Sequence, residues 1–254
     1  MKFDVKQFLK PDLDKPILIE GLPGIGNVGK ISADFIVDNL KAKKFIEITS
    51  ISFPNSVFVN EKNLIDLPKI DFYYKKGKQD FIFLTGDVQP LNEESCYEFC
   101  SLILEIFSRY KGKEIITLGG IGMNKIPKHP MVYCTANNEA ITKRYKSNNL
   151  NSEIFGVVGP IMGVTGLLVG LAAKRNIPAI ALLAQTYGHP SYLGIKGARE
   201  IIKILNNKLD LKISLNKLDR EISNIEKDIK EKQSLIKPII SQKTNIGDET
   251  TYIG

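Results

Sequence analysis

Gly24, Gly26 and Gly29, with Lys30 behind them, stand in the stretch EGLPGIGNVGK, directly after the apolar run Pro16–Ile19. Two phosphate-binding patterns overlap there. G-x-G-x-x-G between a strand and a helix lets the backbone approach a pyrophosphate at a helix N-terminus. G-x-x-x-x-G-K puts a lysine on the terminal phosphates of a nucleotide. Each pattern lacks a part. A P-loop needs Ser or Thr after the lysine to hold Mg²⁺, but Ile31 follows Lys30. Ser32 comes one place later, turned about 100° around a helix, and Asp87 is only a loose match for the metal-holding aspartate. A dinucleotide site needs an acidic residue about 20 positions on, at the end of the second strand. Glu47 has the distance but sits inside its strand, ahead of Ile48, Thr49 and Ser50.

Three further glycine-bearing segments follow short apolar runs: TGDVQP (Thr85–Pro90), GGIG (Gly119–Gly122) and QTYGHP (Gln185–Pro190). In a parallel sheet the carboxyl ends of the strands share one edge, and open α/β sheets bind ligands there. Gly24, Gly26, Asp87, Gln89, Gln185 and Tyr187 are therefore the candidate ligand-edge residues, with His189 beside them. They would suit a small-molecule enzyme or sensor for a nucleoside or nucleotide. No nucleophile and base stand at a recognisable spacing, and Asp87 is the only carboxylate in these loops. The edge reads better as close backbone packing, which glycine permits, or as a protein-facing surface. We assign no catalytic residue, no cofactor and no metal ligand.

Cys96 and Cys100 are spaced i, i+4 on an expected helix beside Phe99 and Leu104, which reads as buried thiols on a core face. With Cys134 they make an odd count and no C-x-x-C, against a disulfide framework. His129 and His189 are the only histidines, too few for an obvious zinc site.

The elements that must position these residues alternate. Strands are expected at 16–20, 45–52, 57–59, 71–75, 81–85, 114–118, 131–135 and 179–184, and helices at 27–40, 93–110, 138–146, 163–175 and 196–207. Short apolar strands between helices predict a mostly parallel sheet covered on both faces, a three-layer α/β domain over residues 1–207. The composition then changes. Leu215, Leu218, Ile222, Ile225, Ile229 and Ile236 follow an a/d heptad seam with Ser214 as N-cap, so 208–237 reads as a coiled-coil-like helix and an oligomer seam. Pro238 ends it, and 238–254 reads as a flexible polar tail closing on Thr-Tyr-Ile-Gly.

Net charge is +7. The lysines are spread along the sequence, without the basic stripe and interleaved aromatics of a nucleic-acid binder. The longest apolar run, 161–173, is broken by three glycines and is too short to span a bilayer. No signal-peptide core opens the chain, so a cytoplasmic protein is expected.

Five segments together, EGLPGIGNVG (Glu20–Gly29), GDVQP (Gly86–Pro90), GGIG (Gly119–Gly122), GPIMGVTGLLVG (Gly159–Gly170) and LLAQTYGHPSYLG (Leu182–Gly194), resemble the proteasome assembly chaperone family. The likeness is nearest to archaeal relatives of the second eukaryotic assembly chaperone and covers about residues 15–205. The resemblance implies a phosphorylase/hydrolase-like core without that fold's catalytic residues. It also implies homo-oligomers that bind subunits of the proteasome core. Family members that dock on the outer ring end in hydrophobic–Tyr–any residue. Here Tyr252 is third from the end rather than second, so Tyr252, Ile253 and Gly254 form a partner anchor in a shifted register.

Overall fold

The computed structural model describes residues 2–154, 156 and 159–224. The chain divides into two units, Met1–Ile213 and Ser214–Gly254. The first unit runs as follows. Strands β1 (Phe3–Gln7) and β2 (Ile17–Gly21) lead through a 3₁₀ turn, Ile25–Asn27, into helix α1 (Val28–Leu40). Next come β3 (Lys43–Ser50), a small hairpin of β4 (Phe58–Val59) and β5 (Ile65–Asp66), β6 (Ile70–Lys75), β7 (Phe81–Gly86) and α2 (Glu93–Arg109). Then follow β8 (Glu114–Met123), β9 (Val132–Ala136), α3 (Glu139–Tyr145), β10 (Leu150–Asn151), α4 (Gly163–Lys174), β11 (Ala179–Tyr187) and α5 (Ile195–Leu209).

Nine strands make one sheet in the order β1-β3-β6-β7-β2-β8-β11-β9-β10. The central four, β7-β2-β8-β11, are parallel. Antiparallel partners extend both flanks: β6, β3 and β1 on one side, β9 on the other. The sheet is thus parallel where it is covered and mixed at its margins, in a three-layer α/β architecture. Both faces of the centre are dry. Leu18, Ile82, Leu84, Ile115 and Ala181 meet α2 and α4, while alternate residues such as Ile17, Ile19, Phe83, Ile116 and Leu182 are equally buried on the side of α1 and α5. That double burial explains the unbroken apolar runs. Helix α2 starts where Asn92 accepts a bond from the Ser95 N–H at 2.8 Å, with Glu93 and Glu94 in its first turn.

Three features differ from the sequence expectation. Strand β8 continues through Gly119–Gly122 to Met123, and β11 through Gln185 to Tyr187, because the two pair in register from Ala179↔Ile115 to Tyr187↔Met123. GGIG is therefore strand, not loop. Strand β1 has one buried side chain, Phe3, so its sequence shows no alternating pattern to read. Asn206 holds the segment after α5 by accepting from the Ile213 N–H at 2.9 Å and donating to its carbonyl at 3.0 Å, carrying ordered packing past residue 207.

Backbone contact at the centre of the sheet fixes where α1 lies. A β-carbon on Gly29 would overlap the Leu118 carbonyl of β8, and one on Gly21 would overlap Gly29 and Ala33. Neither neighbour is a flexible side-chain tip, so the helix would have to lift. Gly29→Ala is expected to cost about 3 kcal/mol, measured by urea unfolding. A loss below about 1 kcal/mol would show that the layer opens easily.

Candidate functional site: the carboxyl edge

The Gly24–Gly29 turn is closed by its own chain. Gly26 is left-handed at φ +61°, and a β-carbon there would come 2.6 Å from the Thr186 hydroxyl of β11. The Gly26 carbonyl accepts from the Gly194 N–H at 2.7 Å, and the Gly24 carbonyl from Asn27 at 2.9 Å. Gly120 approaches the Ile25 carbonyl so closely that a β-carbon there would overlap it. The space in which a phosphate would lie against such a turn is taken by the extended ends of β8 and β11. The residues of the two nucleotide patterns are spent elsewhere. Lys30 pairs with Asp34 at 3.0 Å, and Asp34 also accepts from the Thr85 hydroxyl at 2.6 Å. Ser32 is buried and donates to the Val28 carbonyl at 2.8 Å. Glu47 pairs with Lys44 at 2.6 Å, and that ammonium holds its carboxyl below the usual range.

The predicted polar groups do converge on the carboxyl edge, where Asp87, Gln89 and Gln185 tie separate segments together and Tyr187 packs within its own loop. Gln89 donates to the Pro23 carbonyl and accepts from the Val164 N–H at 3.0 Å, joining the turn before α1 to the start of α4. Gly163, at φ +73°, leaves room for it: a β-carbon would stand 2.6 Å from the Gln89 oxygen. Asp87 accepts from the Lys69 N–H at 3.3 Å. Gln185 accepts from the Met131 N–H at 3.2 Å. Tyr187 stacks on His189 at 5.8 Å and meets Tyr192 edge-on at 5.7 Å. His189 in turn accepts from the Ser191 N–H at 3.2 Å. These contacts hold loops in place, and among the described residues of the set no base stands beside a nucleophile.

Two features of this edge are missing from the sequence reading. One is Glu20, fully buried at the end of β2. Its Oε1 accepts from the Leu22 N–H at 3.0 Å, while Oε2 has no hydrogen-bond partner among the described residues. Burial pushes its carboxyl up to about 8, only partly opposed by the Leu22 N–H bond. The other is an apolar rim. Strand β3 ends, and β6 begins, at the carboxyl edge, because Ile70 pairs with Gly86 at the end of β7. The β4–β5 hairpin between them therefore stands on that edge. Val59, Leu64, Ile65 and Leu67 of the hairpin are 60–69% exposed, and Ile51 is 91% exposed. Leu91 joins them through its N–H bond to the Ser52 carbonyl at 3.3 Å. Ile51, Val57 and Leu67 line a cavity of about 680 Å³. Ile25, Met131, Met162 and Leu193 add exposed apolar side chains farther along the same edge. Exposed apolar side chains gathered at one edge are a common feature of interaction surfaces. The rim's signal in the sequence is the apolar content of 57–67, of which only 57–59 was assigned to a strand.

The described part of the second unit is helical over 216–224. Ser214 accepts from the Asn216 N–H at 3.4 Å, and Asp219 donates to the Leu215 carbonyl at 3.0 Å. Leu218 and Ile222 stand one turn apart on this helix, with Leu215 just ahead of it. The remaining seam residues Ile225, Ile229 and Ile236, and the anchor residues Tyr252, Ile253 and Gly254, lie outside the described residues.

The Glu20 geometry gives a pH dependence of definite sign. The folded carboxyl is raised above its unfolded value of about 4.5, so folding takes up a proton between pH 4.5 and 8. Its contribution is full below pH 4.5 and is lost as pH rises toward 8, at up to about 1.4 kcal/mol per pH unit. Glu20→Gln removes that dependence. Chemical unfolding of both proteins from pH 5 to 8 should show wild type losing ground to the variant as pH rises. A constant difference would mean that Glu20 is ionised in the folded protein.

The PAC2 family matches residues 18–233 of the chain. The uncharacterized protein MJ0106 of Methanocaldococcus jannaschii is 33% identical over 236 residues, 91% of this chain and 90% of that protein. Among solved structures, Pyrococcus furiosus PbaB, an archaeal proteasome activator, superposes with a TM-score of 0.84 at 30% identity, covering 92% of this chain and all of that one. Pyrococcus furiosus PbaA, an archaeal homolog of proteasome-assembly chaperone, shares the fold with a TM-score of 0.75 at 24% identity over 94% of this chain and 95% of its own. With the family match spanning most of the chain, and the glycine segments serving as the seams of its central layer, the protein belongs to the PAC2 family.

Proposed function

We propose that this chain is a non-enzymatic proteasome-core-binding protein, an assembly chaperone or activator that works as a homo-oligomer. The observation that carries this reading is the carboxyl edge, where the place of a small-molecule site is filled by the protein's own backbone and the rim presents apolar side chains outward. Such an edge suits a protein surface better than a nucleotide. The names of PbaB and PbaA supply the class of partner.

In this reading the parts have separate roles. Leu215, Leu218, Ile222, Ile225, Ile229 and Ile236 form the oligomer seam. Tyr252, Ile253 and Gly254 anchor each copy to the outer ring of the core. Several weak tails on one oligomer bind a ring by avidity, so no single tail has to bind tightly. The apolar rim around Ile51, Ile65 and Leu67 adds a second contact with a core subunit.

Native electrophoresis of the full chain mixed with a proteasome core, and separately with free outer-ring subunits, tests this reading. A chain ending at Thr251 should bind at least about tenfold more weakly, since avidity multiplies the loss at each tail. Ile65→Glu with Leu67→Glu should also weaken binding, with no loss of fold because both side chains are already exposed. Failure of the full chain to bind either form of the partner would reject the function. Undiminished binding by the truncated chain would reject the tail anchor alone. Light scattering checks the seam independently: Leu215→Glu with Ile222→Glu, both partly exposed in the single chain where Leu218 is buried, should reduce the oligomer toward monomer, because charges placed on an apolar seam cannot be buried.

A further inference from the structure

The edge opposite the apolar rim has the reverse character. At the amino ends of the parallel strands lies a cavity of about 560 Å³. Its apolar floor includes Ile17, Phe81, Tyr145 and Leu211, all buried. Its walls are cationic. Lys75 ends β6, Lys78 stands in the β6–β7 turn and Lys113 immediately precedes β8. Separated in sequence, they meet in space because β6, β7 and β8 begin or end at this edge.

The charges on the walls are not equivalent. Arg144 pairs with the buried Glu114 carboxylate, which also accepts from the Tyr145 hydroxyl at 2.7 Å. Lys76 lies 3.8 Å from Asp12, and Lys212 lies 3.9 Å from Asp210. Lys208 donates to the Lys146 carbonyl at 2.7 Å and to the Arg144 carbonyl at 3.3 Å, at the end of α3. It therefore serves the negative end of a helix dipole. Lys75, Lys78 and Lys113 have no such compensation. None of them forms an ion pair with any described residue, and Lys113 has only the neutral Gln79 carbonyl oxygen at 3.3 Å. The turn that carries Lys78 is held in shape. Asp80 accepts from the Gly77 N–H at 3.0 Å and from the Asp14 N–H at 2.9 Å, and Gln79 donates to the Lys15 carbonyl at 3.1 Å.

Three unpaired ammonium groups around an apolar floor repel one another, and a low-dielectric wall focuses their field. A multiply charged anion relieves that repulsion, and the floor can take an apolar body attached to it. The volume is that of a small-molecule site. We propose that this amino-edge cavity binds a soluble polyphosphate ester, with two or more phosphate groups on Lys75, Lys78 and Lys113 and an organic body over Phe81 and Leu211. The site is distinct from the glycine turn, which lies at the other end of the strands. It also does not depend on the proteasome reading.

The test is calorimetric titration of the full chain with inorganic tripolyphosphate and with ATP, both without magnesium, at about 150 mM KCl so that surface attraction is screened. One saturable site per chain is expected, tighter for ATP because its base and ribose cover the floor. Lys78→Ala with Lys113→Ala should weaken both ligands by about tenfold or more. The single Lys75→Gln, which breaks no intramolecular bond, should weaken them by about threefold to fivefold. Lys62→Ala with Lys128→Ala removes two exposed charges outside the cavity and should leave affinity unchanged within about twofold. Circular dichroism confirms that each variant is folded. No saturable heat from either ligand would overturn the proposal. Equal weakening in the Lys62/Lys128 control would overturn it as well, because binding would then follow net charge. Binding of a poly-glutamate peptide in place of the phosphates would assign the cavity to an acidic protein segment and overturn the small-molecule site.

Discussion

The Leu118 carbonyl lies where any side chain at position 29 would have to be. Around that contact the α1 helix, β2 and β8 meet backbone to backbone, with Gly21 seated against Gly29 and Ala33. Main-chain contact of this kind brings the helix axis nearer the sheet than side-chain packing would. It also sets the height of the turn before α1, and so decides whether that turn is open or filled. Here it is filled. The Ile25 carbonyl rests over Gly120, Thr186 lies against Gly26, and Gly194 donates to the Gly26 carbonyl. The glycines that resemble a phosphate cradle are the means by which the chain packs against itself.

Consequences spread from there along the carboxyl edge. Once the loops are drawn in, their polar groups serve one another: Gln89 bridges Pro23 and Val164, and Gln185 holds Met131. Glu20 is sealed beneath them with one oxygen unpartnered, which makes its neutral acid the stable form in the folded protein. The apolar side chains that these loops and the β4–β5 hairpin still carry have no interior left to enter, so they face out. A surface built in this way meets another protein more readily than a metabolite. The amino edge is organised on the opposite principle, with lysines gathered above a dry floor.

Much of the fold was legible because the central strands are buried on both faces and carry unbroken apolar runs, and because Cys96, Phe99, Cys100 and Leu104 fall on one face of α2 at helical spacing. What escaped had physical causes. Gly119–Gly122 looked like a loop because glycine weakens any local strand preference. Only pairing with Leu183–Tyr187 on its neighbour makes it a strand, as far as Met123. Phe3–Gln7 carries one inward side chain and so shows no pattern. At the candidate site, the convergence of Asp87, Gln89, Gln185 and Tyr187 on one edge could be read from their places at the carboxyl ends of expected parallel strands. The use of Asp87, Gln89 and Gln185 as loop clamps could not, because each of their bonds spans residues far apart in the chain.

The sequence by itself determined the α/β alternation, the burial of Cys96 and Cys100 on one helix face, and membership of the family whose glycine segments it carries. These depend on local periodicity and on motifs that survive as short words. Tertiary structure alone decided that the glycine turn is closed, that Glu20 is cut off from water, and that Lys75, Lys78 and Lys113 surround one cavity. Each of these depends on which strands lie side by side. The lysines are scattered in the sequence and clustered in space for that same reason: the sheet order brings the ends of β6, β7 and β8 together.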